Sequence, residues 1–124
     1  MKIEGDGLDG KRILVVEDER LIALYNQDLL EDWGCSVVGP AGSVSSALEL
    51  LEADVPDAAV IDFDLGGETS EPVAEALVKA NRPFLVTTAY DPQHLGAYTS
   101  GVHILGKPVD ERELRTALAR LFNS

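Results

Sequence analysis

Short apolar runs alternate along the chain with longer stretches in which apolar residues recur every three or four positions. The runs at residues 13–16 and 58–61 contain no polar residue, which is typical of strands buried on both faces of a parallel sheet. Similar runs predict three further strands, at residues 37–38, 84–87 and 104–105. The pattern therefore predicts an α/β fold with five strands.

The stretches between the strands have the spacing of amphipathic helices. In the first stretch, Ile22, Tyr25, Leu29 and Trp33 fall on one helical face, which predicts that this face is buried. Gly34 follows at a position where helices commonly end. Because strands and helices alternate with short connections, we expect a parallel sheet covered by helices on both sides.

Capping residues mark the starts of two other helices. Ser43 precedes the second helical pattern, and Asp110 with Glu113 forms a start that resembles a capping box for the last one. The segment between residues 88 and 102 is interrupted by glycines and leaves room for only a turn or two. We therefore predict a fourth helix that is short or disordered.

The chain has 124 residues, which predicts one domain, and residues 1–10 are acidic and glycine-rich. We interpret these ten residues as a flexible leader before a domain that spans residues 11–124. Acidic residues outnumber basic ones 22 to 10, and the net charge of −12 disfavours binding to nucleic acids or anionic membranes. It favours a cation or a basic partner surface. The single cysteine, Cys35, forms no intramolecular disulfide and fits a cytoplasmic location.

Polar side chains follow nearly every predicted strand at the point where the apolar run stops. In an open parallel sheet, the carboxyl ends of the strands meet at one edge, where ligands bind. We therefore expect these side chains to form an acidic cluster with one cation and a hydroxyl. The residues concerned are Glu17, Asp18, Asp62, Thr87, Thr88 and Lys107.

Clustered carboxylates repel one another, by about 4 kcal/mol for two charges ~4 Å apart at an effective dielectric constant of ~20. Protonation, a paired lysine or a bound divalent cation relieves the repulsion, and ligands that are all oxygen suit Mg²⁺. Mg²⁺, a lysine and a threonine around an ionised carboxylate are groups that can promote phosphoryl transfer to that carboxylate. Asp62 would then be the nucleophile and would form an acyl phosphate.

Four motifs in this order resemble the receiver domain of two-component response regulators. Residues 15–19 read Val-Val-Glu-Asp-Glu after the first strand, and Asp62 ends the third strand. Thr88-Ala89 follows the fourth strand and Lys107-Pro108 follows the fifth. The resemblance covers the chain from about Lys11 onward. It implies a flavodoxin-like, doubly wound (βα)5 fold with the strand order 2-1-3-4-5.

Three segments look closer still to the stand-alone, single-domain regulators whose fourth strand ends in a Phe-Ala-Thr-Gly-Tyr-like motif. These segments are residues 62–68, 72–74 and 83–90. We expect no effector domain after the last helix. This resemblance implies a phosphoacceptor protein, not an enzyme, that acts by phosphorylation-dependent protein binding or by phosphate buffering.

The resemblance also implies a magnesium site. Asp18 and Asp62 would ligate Mg²⁺ through their side chains, and Glu17 would act directly or through water. Asp64 would contribute its backbone carbonyl. In this reading Mg²⁺ is the only cofactor.

The phosphoryl group would come from a sensor histidine kinase or a histidine phosphotransfer protein and would be accepted by Asp62. Thr88 and Lys107 would hold its oxygens, and Thr88 is preferred over Thr87 because the threonine of the family precedes a small residue, here Ala89. The downstream partner would be another protein. The receiver itself would be a monomer or a weak dimer.

One departure from the family concerns the conformational switch. Receivers often carry Tyr or Phe three residues before the lysine, and this chain has Ile104 there. Tyr90 and Tyr98 lie in the loop after the fourth strand and are candidates for the aromatic role.

Two alternative functions are open on the residues alone. An apolar run followed by Asp-x-Asp also resembles the first motif of haloacid-dehalogenase-type phosphatases, with Asp62 as nucleophile and Asp64 as acid. A full β-α-β-α pattern precedes the motif here, whereas it usually opens that fold. The second alternative is a receiver-like adaptor that never takes up phosphate.

Overall fold

The computed structural model describes residues 7–89 and 102–123 of the chain. Within these residues, parallel strands form one five-stranded sheet in the order β2-β1-β3-β4-β5, which confirms the predicted fold. The strands are β1 (Arg12–Val16), β2 (Ser36–Ala41), β3 (Ala58–Asp62), β4 (Phe84–Thr88) and β5 (His103–Gly106). The helices are α1 (Arg20–Asp32), α2 (Val44–Ala53), α3 (Glu71–Lys79) and α4 (Glu111–Phe122).

The sheet separates two apolar layers, because successive side chains of a strand point to opposite faces. On one face, Val15, Val60 and Leu85 pack with residues of α1 and α4. On the other face, Ile61 and Val86 pack with residues of α2 and α3. Both faces of the central strands are thus covered, which explains why their sequences are continuously apolar.

Trp33 is buried as the sequence predicts, but the rest of the buried face of α1 is rotated by one position from the predicted face. Ala23, Asn26 and Leu30 are its buried residues, whereas Tyr25 is 50% exposed. The prediction that Tyr25 is buried was therefore wrong. The apolar pattern misled because the position that faces the sheet holds a polar residue, Asn26.

Strand β2 continues past Gly39-Pro40, where the sequence predicts that it ends. The register with β1 shifts there, since Leu14 pairs with Val38 and Val16 pairs with Ala41. Gly39 has a φ of +91°, which favours glycine, and proline is tolerated because β2 is an edge strand.

The stretch predicted as a flexible leader includes one residue of the core. Leu8 is fully buried in the layer with α1 and α4, and its carbonyl accepts hydrogen bonds from Lys11 N and from Cys35 Sγ. Gly10 N donates to the Gly34 carbonyl. The chain therefore joins the core from Leu8 onward, because burial of this side chain anchors the residues around it.

Both predicted helix caps are confirmed. The Ser43 side chain accepts a hydrogen bond from Ser46 N, and the Asp110 side chain accepts one from Glu113 N. The segment predicted to hold a short fourth helix falls mainly within residues 90–101, which lie outside the described residues.

Candidate functional site

Three strand ends bring the predicted phosphoacceptor, an acid and the lysine together. Asp62 is the last residue of β3, and Glu17 directly follows β1. These positions are adjacent because Val16 pairs with Ile61 in the sheet. Lys107 follows β5, and its Nζ lies 2.9 Å from Asp62 Oδ2 and 2.9 Å from Glu17 Oε1. One ammonium group therefore bridges two buried carboxylates.

Burial changes the protonation of this group. Loss of water raises the pKa of Glu17 from 4.5 to about 7, although hydrogen bonds from Lys107 and from the backbone N–H of Glu19 lower it, and the Asp62 charge raises it further. Burial lowers the pKa of Lys107, but its contacts with Asp62 and Glu17 outweigh this effect and the pKa is raised. At neutral pH Lys107 is thus a cation, whereas Glu17 is divided between its two forms.

The acidic residues have the spacing of a metal site. Glu17, Asp18 and Asp62 each offer one carboxylate oxygen, and these oxygens lie within 4.8 Å of one another. Oxygens bound to one Mg²⁺ lie about 2.1 Å from the ion and hence about 3 to 4 Å apart, so only small adjustments are needed. Lys107 balances one of the three negative charges, and a divalent cation would balance the other two. The donor set therefore suits Mg²⁺.

The turn after β3 shapes the exposed side of this acidic group. Gly66 has a φ of +67°, and a Cβ built there would lie 3.2 Å from Asp18 Oδ2. A glycine thus leaves room for the Asp18 carboxylate. The side chain of Asp64 is engaged in the same turn, where Oδ1 accepts a hydrogen bond of 3.4 Å from Gly67 N. Metal binding by the Asp64 backbone carbonyl stays a prediction.

Two buried threonines end β4 on opposite faces of the sheet. Thr87 pairs with Asp62 and lies on its face, whereas Thr88 pairs with Gly106 and lies on the other. The Thr88 carbonyl accepts a hydrogen bond of 2.8 Å from the backbone N–H of Lys107. The end of β4 is therefore tied to the loop that carries the lysine, and contact of the Thr88 hydroxyl with a phosphoryl oxygen stays a prediction.

This arrangement of strand ends has a counterpart in a known family. Residues 13–119 match the family described as "Response regulator receiver domain". The chain belongs to this receiver family. Over 93 residues it is 30% identical to the transcriptional regulatory protein PdtaR of Mycobacterium tuberculosis, a match that covers 74% of this chain and 45% of that protein. The chain thus spans about half the length of this relative.

Solved structures of receivers have the same fold. The receiver (REC) domain of the response regulator PhyR of Erythrobacter litoralis aligns with a TM-score of 0.84 at 24% identity, over 94% of this chain and 92% of that one. The response regulator PhyR of Brucella abortus aligns with a TM-score of 0.82 at 27% identity, over 96% of this chain and 51% of that one.

Membership of the receiver family bears on one of the two alternative functions, the phosphatase. Receivers are signalling domains of two-component systems and not classical enzymes, which argues against the phosphatase reading. In residues 7–89 and 102–123, no helix has the length and apolar character needed to cross a bilayer.

The switch position of this receiver holds an aliphatic side chain. Ile104 is half-buried in β5, where it pairs with Val86. The two tyrosines predicted as its substitutes, Tyr90 and Tyr98, lie outside the described residues.

A cavity of about 360 Å³ adjoins the acidic group between α1 and the loop after β5. Glu17 and Lys107 form part of its wall, and Asn26 of α1 lines it as well. Asn26 was not predicted as a site residue, since a polar residue in a helix is normally assigned to solvent. The available signal was its position three residues after Ala23 and four before Leu30.

Proposed function

We propose that this receiver accepts a phosphoryl group on Asp62 from a sensor histidine kinase or a histidine phosphotransfer protein. The observation that carries this proposal is the 2.9 Å contact of Lys107 Nζ with Asp62 Oδ2, inside a group of three carboxylates. A cation beside the attacking carboxylate stabilises negative charge that develops on a transferring phosphoryl group.

The proposed reaction exchanges one bond to phosphorus for another. An Asp62 carboxylate oxygen attacks the phosphorus of a phosphohistidine, and a P–O bond forms as the P–N bond breaks. The imidazole leaves with the bonding electron pair and takes up a proton from solvent. The Lys107 ammonium and the Thr88 hydroxyl donate hydrogen bonds to phosphoryl oxygens. Mg²⁺ held by Glu17, Asp18 and Asp62 would offset the charge of those oxygens.

The phosphodonor must place its histidine against Asp62, and α1 offers a surface for this contact. Leu21 is 81% exposed, Leu24 41% and Tyr25 50%, and Tyr25 also lines the cavity beside the acidic group. Exposed apolar side chains grouped beside a site favour protein contact. The net charge of −12 favours a donor with a basic surface and disfavours nucleic acid and anionic membranes.

The output of the phosphorylated receiver is proposed to be binding of a further protein, or buffering of phosphate between histidine proteins. Phosphorylation adds about −1.5 to −2 charges and three acceptor oxygens at Asp62. Lys107 would then move from its contact with Glu17 toward the phosphoryl group and shift the loop after β5. We propose a monomer or a weak dimer.

Labelling with acetyl phosphate tests the proposal. We expect Mg²⁺-dependent labelling of the parent protein and none in Asp62→Asn, because the amide is a poor nucleophile. Asp64→Asn is the matched control, since it keeps its backbone carbonyl, and it should still be labelled. Equal labelling of Asp62→Asn and the parent would contradict the assignment. Absence of labelling in the folded parent would favour the adaptor that never takes up phosphate.

A further inference from the structure

The cavity of about 360 Å³ beside the acidic group has an apolar wall and a polar wall. The apolar wall consists of Ile22 and Tyr25 of α1 and of Pro108 and Val109 after β5. Its size is that of a site for a small organic molecule, since such sites range from about 300 to 1,000 Å³.

The polar wall contains two buried side chains that lack a protein partner. Asn26 is 5% exposed and Thr87 is 3% exposed, and both line the cavity. Within the described part of the chain, neither the Asn26 amide nor the Thr87 hydroxyl forms a hydrogen bond. Both polar groups open onto the cavity, because neither is among the fully enclosed side-chain atoms that lack a partner. Two hydrogen-bonding groups in the wall of one cavity suit a ligand with polar atoms at that wall.

We propose that this cavity is a binding site for a small neutral molecule that joins a primary amide to an aromatic or alicyclic body. The Asn26 carboxamide has two N–H donors and a carbonyl oxygen that accepts. A second carboxamide can therefore pair with it through two hydrogen bonds. The Thr87 hydroxyl provides a further donor or acceptor. The ring of the ligand would pack against Tyr25 and Pro108 on the apolar wall.

Electrostatics favour a neutral ligand over a charged one. The cavity wall includes Glu17, and Asp62 lies 2.9 Å from the Lys107 Nζ of the same wall, so an anion would meet two carboxyl groups. The Lys107 ammonium already donates to both of them. Asp18, which completes the candidate Mg²⁺ site, does not line the cavity, so a cation bound within the cavity would meet the Lys107 ammonium without all three carboxylates.

Titration with benzamide, followed by two-dimensional ¹H–¹⁵N NMR, tests the proposal without any phosphorylation. We expect saturable shifts of the Asn26 side-chain amide and of the backbone signals of Ile22 and Val109. Toluene lacks the amide and should bind about tenfold more weakly, as expected for the loss of hydrogen bonds to buried groups. Benzoate should also bind more weakly because of its charge. Absence of saturable shifts at these residues, or equal binding of toluene, would mean that only solvent fills the cavity and would overturn the proposal.

Two variants place the ligand in the cavity. Asn26→Leu keeps the side-chain size and removes the amide, so it should weaken benzamide binding about tenfold. Val109→Phe fills the cavity and should abolish the shifts. Gln27→Leu, on the same helix but outside the cavity wall, is the matched control and should bind benzamide like the parent. Unchanged benzamide binding in both cavity variants would overturn the assignment.

Discussion

Glu17→Gln replaces the buried carboxyl group by a neutral amide of similar shape and isolates the free energy linked to the raised pKa. In the fold the pKa of Glu17 is about 7, against 4.5 for the ordinary side chain. Its contribution to stability is therefore fully present below about pH 4.5 and is lost as the pH rises through about 7. Without Mg²⁺, these two pKa values correspond to a loss of about 2 to 3 kcal/mol between about pH 5 and about pH 8.

Urea unfolding of Glu17→Gln and of the parent in EDTA, across this pH range, measures the effect. The free energy of unfolding of the variant relative to the parent should increase by about 2 to 3 kcal/mol from the acidic to the alkaline end. Glu75→Gln, an exposed position on α3, is the matched control. Saturating Mg²⁺ should reverse the trend in the parent, because the metal binds the ionised carboxyl group. Parallel pH curves for Glu17→Gln and the parent in EDTA would refute the reasoning.

Three further substitutions test other parts of the molecule. Lys107→Met removes the ammonium that two buried carboxylates share and should lower the free energy of unfolding by about 3 to 5 kcal/mol in EDTA, with partial recovery in Mg²⁺, as measured by urea unfolding. Gly66→Ala crowds the Asp18 carboxylate and should weaken Mg²⁺ binding severalfold in calorimetric titration, besides costing about 1 kcal/mol of stability for its positive φ. Leu8→Ala should destabilise by about 2 to 5 kcal/mol in urea unfolding, whereas Leu21→Ala, at a position 81% exposed, should change it by no more than about 0.5 kcal/mol.

The strand ends could be predicted from the sequence because a buried strand has a simple signature. Residues 58–61 are all apolar, so the first polar residue after them, Asp62, had to lie at the end of the strand. The same reasoning placed Glu17 and Lys107 at the same edge of the sheet. The parallel topology then brought the three side chains together, as the contacts of Lys107 show.

Other features could not be predicted because they depend on packing across the fold. The rotation of α1 puts Asn26 toward the sheet and Tyr25 toward solvent, against the apolar pattern. Leu8 lies in an acidic, glycine-rich stretch, and its burial depends on packing with residues of α1 and α4 that no local pattern indicates. The raised pKa of Glu17 likewise follows from burial, which is a property of the folded structure.

A crystal structure with Mg²⁺ and beryllofluoride, which mimics an acyl phosphate, tests the central claim most directly. The account predicts beryllium bonded to a carboxylate oxygen of Asp62, Mg²⁺ ligated by Asp18 and Asp62, and a fluorine within hydrogen-bond distance of Lys107 Nζ. Beryllofluoride bound at another carboxylate, or an unmodified Asp62 beside bound Mg²⁺ at saturating beryllofluoride, would contradict it.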